Sequence, residues 1–428
     1  MSGLPSSWKR TQIGSICDVV RGSSPRPIAD QRYFDGGTIP WIKIADATKS
    51  GRFLYDTREK VNEYGASFSR LLPKGSLIVA ASGTLGYTQM LGVPGCIHDG
   101  WLHLSGFRGV EKLFLYYWLK CQVQHFTSSA YGAAIQNINT AIMRESVIDL
   151  PPLDDQFRIA LTLSAYDDLI ENNTRRISIL EEMARRIYEE WFVRFRFPGH
   201  EGVRMVESEL GLVPEGWRTD VLAGVCEPKT GIQTGPFGSQ LHKADYSEVG
   251  VPVLMPKDLI EFRIEEDSVA RVPEATAESL KRHRMRPGDI AYGRRGDIGR
   301  RAFIMAHQAG WLCGTGCLRI RPDSKKINGW YVFNSLGQDS VVGLIAGRAH
   351  GVTMPNLNAQ LLESVPVVCP PRELQDQFER ISFPMAELRE SLIAKNANLR
   401  TTRDLLLPKL ISGELGVSAM PEPEALAA

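Results

Sequence analysis

The chain has 428 residues, of which 43% are apolar and 23% charged, and its net charge is +1. That length exceeds one ordinary core and predicts two or more domains, while the balance excludes an intrinsically disordered protein. No apolar run nears the ~18 residues of a membrane span and no leader pattern opens the chain, and the seven scattered cysteines fit a reducing cytoplasm better than a disulfide framework.

Residues 1–152 read as a first mixed α/β domain. Within it Leu77-Ile78-Val79-Ala80-Ala81 is a β-like run bounded by glycine and proline turns. The turn that follows, Ser82-Gly83-Thr84-Leu85-Gly86-Tyr87, carries no charge. From it Ser82, Thr84 and Tyr87 can hydrogen-bond to bases or phosphates, although a structural strand turn explains the same residues. Gln136, Asn137 and Asn139 are further candidates, because amide side chains pair bidentately with adenine. A shared structural role with their later counterparts fits Asn137 and Asn139 equally well.

Residues 153–200 read as a first long spacer helix, nearly free of glycine and proline until Pro198. Ile159, Tyr166, Asn173, Leu180 and Ile187 recur at sevenfold spacing, and Leu163, Ile170, Ile177, Ala184 and Trp191 form the row four residues on. A seam sustained over more than four heptads predicts a coiled coil, with Asn173 helping to set its register. The alternative is an amphipathic helix packed on its own domain.

Residues 201–371 then repeat the first domain. Pro5, Trp8 and Cys17 recur as Pro214, Trp217 and Cys226; Ile39-Pro40 and Asp46 as Val251-Pro252 and Asp258; Lys74-Gly75, Gly83 and Gly86 as Pro287-Gly288, Gly296 and Gly299. Asn137-Ile138-Asn139 recurs as Asn356-Leu357-Asn358, and Pro151-Pro152 as Pro370-Pro371. The offset drifts from 209 to 219, as insertions in loops would make it. This copy holds the clearest basic cluster: Lys281, Arg282, His283, Arg284 and Arg286, then Arg294, Arg295, Arg300 and Arg301. Arg294 and Arg295 follow the strand Ile290-Ala291-Tyr292 in a turn bounded by Gly293 and Gly296. With Arg300 they are candidates for DNA contact, since the guanidinium fork matches guanine and phosphate. For any single arginine, a solvated charged face is the competing explanation. Gln240 and Lys243, in a glycine-rich loop with Gln233 and Ser239, complete the set.

Residues 372–415 read as a second long spacer helix and 416–428 as a flexible tail. Phe378, Met385, Leu392, Leu399 and Leu406 make one full row; its partner row starts with Ile381 and Leu388 and degrades to Lys395 and Thr402. Pro384 predicts a kink or a later helix start. Because each helix follows an equivalent domain, the two are expected to pair antiparallel. The fold class is then α+β: two similar mixed α/β domains joined by two long helices in an antiparallel coiled coil, with an internal pseudo-twofold repeat. Two such domains on a rod of roughly 60 Å, at ~1.5 Å per residue, suit a target with two separated half-sites.

With these residues in view, the chain resembles the specificity subunits of type I restriction–modification systems. Leu4-Pro5-Ser6-Ser7-Trp8 and Val213-Pro214-Glu215-Gly216-Trp217 look like that family's domain starts. Pro151-Pro152-Leu153 and Pro370-Pro371, followed by Gln156-Phe157 and Gln377-Phe378, look like its helix entries; Glu190-Trp191-Phe192 and Leu406-Leu407-Pro408-Lys409-Leu410 look like its helix exits. The resemblance implies two target recognition domains, each reading half of a bipartite sequence in double-stranded DNA. It implies helices that dock two methyltransferase (modification) subunits, joined by restriction/translocase subunits, in a cytoplasmic host-defence complex with no membrane partner. It also implies a chain that is itself non-catalytic and binds no cofactor, while its partners use S-adenosylmethionine, ATP and Mg.

The motif search agrees. There is no glycine-rich nucleotide fingerprint, no Asn-Pro-Pro-aromatic motif and no P-loop. Cys313 and Cys317 lack a second pair to complete a zinc site, and the eight histidines show no metal spacing. Two alternatives compete: a coiled-coil protein-interaction scaffold without DNA specificity, and a standalone restriction–methylation enzyme. The duplicated domain-helix pattern with its arginine turn disfavours the first, and the missing catalytic motifs disfavour the second.

Overall fold

Leu77–Ala80 is apolar at every position, the composition of a strand covered on both faces rather than one that alternates. In the computed structural model all four side chains are fully buried. Leu77 and Val79 face one core, and Ile78 and Ala80 face another. The structure describes residues 6–124, 126–127, 137–237, 240–260, 262–294, 298–348 and 357–417. The strand is central in a five-stranded sheet of order Asp18–Arg21, Trp101–Ser105, Leu77–Ala80, Thr88–Leu91, Phe53–Leu54. A four-stranded sheet of Lys60–Val61, Ile39–Ile42, Gly95–Ile97 and Arg70–Leu72 accompanies it. The helix Lys112–Cys121, buried from Phe114 to Leu119, packs in the core of Leu77 and Val79. Lys9–Gln12 pairs antiparallel with Val147–Leu150, so both ends of the domain meet just before the first long helix starts at Leu153.

The second copy follows the same plan in a sheet of order Ile232–Thr234, Cys317–Ile320, Ile290–Gly293, Arg301–Phe303. Ile290 and Tyr292 face one core and Ala291 the other. Arg218–Val221 pairs with Pro366–Cys369 ahead of the second long helix, Arg372–Ile411. The repeat reaches individual bonds. The Ala81 amide donates to Gly100, and that of Arg294 to Gly316; the Ile138 amide donates to Ala81, and that of Leu357 to Arg294. At the helix entries, buried Gln156 accepts from the Glu111 amide and donates to the Pro151 carbonyl. Gln375 makes the same two bonds with Asn328 and Pro370. Gln375 is therefore the counterpart of Gln156, two residues before the Gln377-Phe378 pair that the sequence singles out.

The chain divides into two units, residues 1–177 with 390–428 and residues 178–389, so each holds a stretch of both long helices. In the first unit Ile159 and Leu163 share a core with Leu407, Leu410 and Ile411. Further along, Arg403 pairs with Asp167, and Asn173 donates to Asn396 over 2.9 Å. In the second unit Glu181 faces Arg389 at 3.6 Å, and Trp191 and Phe192 pack on Phe378. Residue numbers climb on one helix as they fall on the other, so the pairing is antiparallel in both units. The first helix runs over Leu153–Tyr188 and ends in a π-helical turn, Glu189–Val193.

Ile159, Leu163, Ile170, Phe378 and Leu392 are buried, and Ile177, Leu180, Ile187, Met385 and Leu399 are half-buried. The partner row of the second helix needs correction. Ile381 and Leu388 are 39% and 40% exposed, and the inward row is Gln375, Ser382, Arg389, Asn396 and Arg403, one residue further round. Each of these polar side chains has a partner: Ser382 accepts from the Trp330 indole, while Arg389, Asn396 and Arg403 meet Glu181, Asn173 and Asp167. The helix starts at Arg372 and continues past Pro384, whose ring is exposed.

Candidate nucleic-acid interface

In the first copy the central strand is followed by a turn, 81–87, before the chain returns as Thr88–Leu91; in the second, seven residues, of which 294 and 298–300 are described, separate Ile290–Gly293 from Arg301–Phe303. The backbone closes each turn in the same way, with the Ala80 amide donating to Tyr87 and the Gly293 amide to Arg300. Gly83 and Gly86 take positive φ values of 70° and 74°, and Gly299 takes 104°, conformations that other residues rarely adopt. The bonds at the two ends are duplicated and the side chains between them are not.

On the first turn Thr84 is exposed and Ser82 half-buried. Tyr87 is half-buried, its hydroxyl donating to the Ala47 carbonyl at 2.8 Å. On the second turn Arg300 is exposed, whereas Arg294 is half-buried and donates through Nε to the Leu357 carbonyl at 2.6 Å. That bond ties the turn to the segment ahead of Ala359–Glu363. Arg295 lies outside the described residues, as do Gln136, Ser239 and Asn356. Asn137 is exposed. Asn139 and Asn358 are helix N-caps, accepting from the amides of Ile142 and Leu361, a structural task the asparagine side chain performs well. Lys243 is exposed, and Gln240 accepts from the Phe237 amide and from Arg282.

The basic cluster separates into inside and outside. Arg301 is buried: Nε donates to the Phe333 carbonyl, and the guanidinium lies 4.5 Å from the Phe262 ring and 4.9 Å from the Phe333 ring. Burial pushes its pKa down to about 10. His283 is also buried; desolvation and the neighbouring Arg282 lower its pKa to about 4, so at neutral pH it adds no charge. Asp289 is spent on a bidentate pair with buried Arg321, both bonds 2.7 Å. Lys281, Arg282 and Arg286 remain on the surface with Arg300.

One loop escapes the sequence reading. Gly22 and Gly235 make equivalent bonds, to Trp101 and Cys317, so the loop bearing Gln240 and Lys243 has a first-unit counterpart starting at Gly22. That counterpart carries the exposed cations Arg26, paired with Asp99 at 2.6 Å, and Arg32, paired with Asp30 at 2.7 Å. The spacing from Gly22 to Gly235, equal to that from Gly86 to Gly299, is the signal that finds it. Among the described residues no group of His, Cys, Asp or Glu could hold a metal ion, and no helix is long and apolar enough to cross a membrane.

Residues 5–182 match the family model of the type I restriction modification DNA specificity domain. Over 424 residues the chain is 24% identical to the type I restriction enzyme MjaIX specificity subunit of Methanocaldococcus jannaschii, covering 97% of this chain and 95% of that protein. The type I restriction enzyme EcoBI specificity subunit of Escherichia coli is 19% identical over 433 residues, covering 96% and 87%. A crystal structure of the S subunit of a type I restriction-modification system from M. genitalium shares the fold, with a TM-score of 0.65 at 17% identity over 96% of this chain and 97% of that one. The family model spans the first copy and part of its long helix, and the full-length relatives span both copies.

Proposed function

The chain belongs to the type I restriction–modification specificity subunits, and we propose that each of its two units reads one half of a bipartite duplex DNA target through the turn after its central strand. The observation that carries this reading is the pair of segments itself: equivalent backbone bonds hold their ends, while the sequence between is neutral and hydroxylated on 81–87 and arginine-rich on 294–300. A shared frame with exchanged contacts is what two unlike half-sites require, because base edges are distinguished by donor and acceptor pattern. Exposed Arg300, Arg282 and Lys243 in the second unit, and Arg26 and Arg32 in the first, supply cations for the phosphates.

The long helices carry solvent-facing apolar residues that neither seam uses: Phe157, Leu161 and Leu169 in the first unit, Ile179, Met183 and Leu388 in the second. Apolar side chains repeated along an exposed helix favour protein docking, which supports one methyltransferase subunit per unit. In this reading the chain itself is non-catalytic. Methyl transfer and cleavage, with S-adenosylmethionine, ATP and Mg, belong to the modification and restriction/translocase subunits.

The test is to co-express the chain with its methyltransferase subunit in a host lacking DNA methylation and to map modified bases across the genome. A split motif with a fixed gap, absent when this chain is omitted, is the expected result. A continuous motif, or methylation unchanged by the omission, would replace this reading with that of a scaffold.

A further inference from the structure

A turn that carries reading side chains must be held still from outside it. In the first unit the return strand opens with Thr88, 5% exposed, whose Oγ1 donates to the Gly86 carbonyl at 3.0 Å. In the second it opens with Arg301, also 5% exposed, whose Nη1 donates to the Gly299 carbonyl at 3.1 Å. The two donors stand at equivalent positions and reach back two residues to equivalent glycines. Both glycines are also closed on the side where a Cβ would lie. A methyl on Gly86 would come within 2.9 Å of the Phe126 ring, and one on Gly299 within 3.1 Å of Val342.

The means differ as fully as the turns do. Threonine makes its bond at little desolvation cost. Arg301 makes it with a buried guanidinium that forms no ion pair among the described residues. It relies instead on the Phe333 carbonyl and two ring faces. Gly337 makes room for it, since any Cβ there would fall 1.5 Å from Nη2. Burying an unpaired cation is expensive, so hydrophobic packing alone does not account for an arginine at this position. The feature common to both units is the bond to the glycine carbonyl at the exit of the turn.

The geometry points to Thr88 and Arg301 as equivalent positioning residues that fix the exits of the two recognition turns and so set how sharply each half of the target is discriminated. The inference rests on the reading of those turns as DNA readers. A pre-set loop binds its correct sequence without first having to be ordered, and the margin over wrong sequences depends on that placement.

The experiment uses the full chain in complex with its methyltransferase subunits and a pool of duplex DNA randomised at every target position. Thr88→Val keeps the branched shape and removes the hydroxyl; Thr88→Ser keeps the hydroxyl. The valine variant is expected to lose about tenfold in discrimination at one half-site only, with the other half-site unchanged, the melting temperature lowered by no more than the few degrees one lost hydrogen bond costs, and the serine variant like wild type. Arg301→Met is expected to do the same at the other half-site. A general loss of stability would lower binding to all sequences alike and leave both preferences intact. Unchanged discrimination in a folded Thr88→Val variant overturns the inference, and that variant decides if Arg301→Met does not fold. Thr84→Ala on the same turn separates the two levels. If it alters discrimination while Thr88→Val does not, only the anchor role fails; if neither does, the turn is not a reader and the functional reading fails with it.

Discussion

Beyond the apolar packing, the globular domain of the first unit reaches the long helices through ion pairs, whereas that of the second does so through stacked rings, with Asn328 and Trp330 adding hydrogen bonds to Asp376, Glu379 and Ser382. Tyr117, on the helix Lys112–Cys121, donates to Asp167 at 2.6 Å, and Asp167 pairs in turn with Arg403. Arg52 pairs with Asp168, and the Tyr55 hydroxyl donates to Glu171 at 3.0 Å. The corresponding helix of the second unit, Gly329–Ser335, presents Tyr331 to Tyr188 and Phe192, with ring centroids 5.9 and 4.9 Å apart. Phe378 closes that cluster against Phe192 at 5.3 Å. At the repeat offset of 219, Asp167 corresponds to Ala386 and Arg403 to Ala184, so both members of the ion pair have become alanine together. This is the pattern that electrostatics in a low-dielectric interior favours. A buried pair can be exchanged whole for apolar packing at little net cost, whereas removing one member leaves a stranded charge.

The largest effect is expected from the aromatic anchor. Phe378→Ala removes a fully buried ring and should cost about 3–5 kcal/mol, read as faster hydrogen exchange over residues 178–193 and 329–335. A loss below 1 kcal/mol would show that the cluster does not hold the second unit's helices, and the contrast would collapse. Asp167→Ala comes next, at about 3 kcal/mol, because Arg403 and the Tyr117 hydroxyl lose their shared partner. The Asp167→Ala/Arg403→Ala double variant copies the alanines of the other unit and should be less damaging than the single. A double-variant cost equal to the sum of both singles would mean that the two residues act independently.

What could be read from the sequence follows from how locally each feature is encoded. The duplication and the central strands depend on residue type at fixed spacing and stand where spacing puts them, whereas the row of Ile381 and Leu388 turns outward. The polar row from Gln375 to Arg403 does not register as a seam, because apolar periodicity cannot distinguish an inward arginine from an outward one. Its direction is decided by Glu181, Asn173 and Asp167, about 210 to 240 residues away in the chain. The basic cluster fails for the same reason. Arg301 reads like its neighbour Arg300 until Phe262, Phe333 and Gly337 close around it. The turns were legible as candidate sites because glycines bound them, but the part played by each side chain was not.

The asparagine pair tests that point at a smaller scale. Asn396 donates to the Ile170 carbonyl and to Thr174 while accepting from Asn173, so the bonds cross the seam in both directions. In the duplicated register these positions are Leu392 and Ile177, apolar in both. Asn173→Leu leaves the Asn396 carbonyl oxygen unpaired and should cost about 1–2 kcal/mol in thermal unfolding. Asn173→Leu/Asn396→Ile, which copies the other register, should recover most of it. Failure to recover would mean that the asparagines do more than satisfy one another.

The smallest effect concerns pH and sharpens the contrast from an unexpected side: the second unit, whose helix anchor is rich in rings, holds a strongly perturbed titrating group, His283, within its globular domain. His283 is buried beside Arg282, whose Nε donates to His283 Nε2 at 2.9 Å, and Arg319 lies close by. That bond needs an unprotonated Nε2. Desolvation first, then Arg282 and Arg319, lower the folded pKa to about 4, against which the hydrogen bond to the Thr234 backbone works weakly. Because the folded value lies below the unfolded one, the stabilisation is complete above about pH 6.5 and is lost as pH falls toward 4. Between pH 7 and pH 5 the unfolding temperature of this unit should fall by a few degrees. His283→Gln keeps an acceptor for Arg282 and cannot protonate, so its unfolding temperature should change less over that interval. If the glutamine variant loses as much as wild type, the acid sensitivity lies elsewhere, and the carboxylates that pair with the second unit's surface arginines become the place to look.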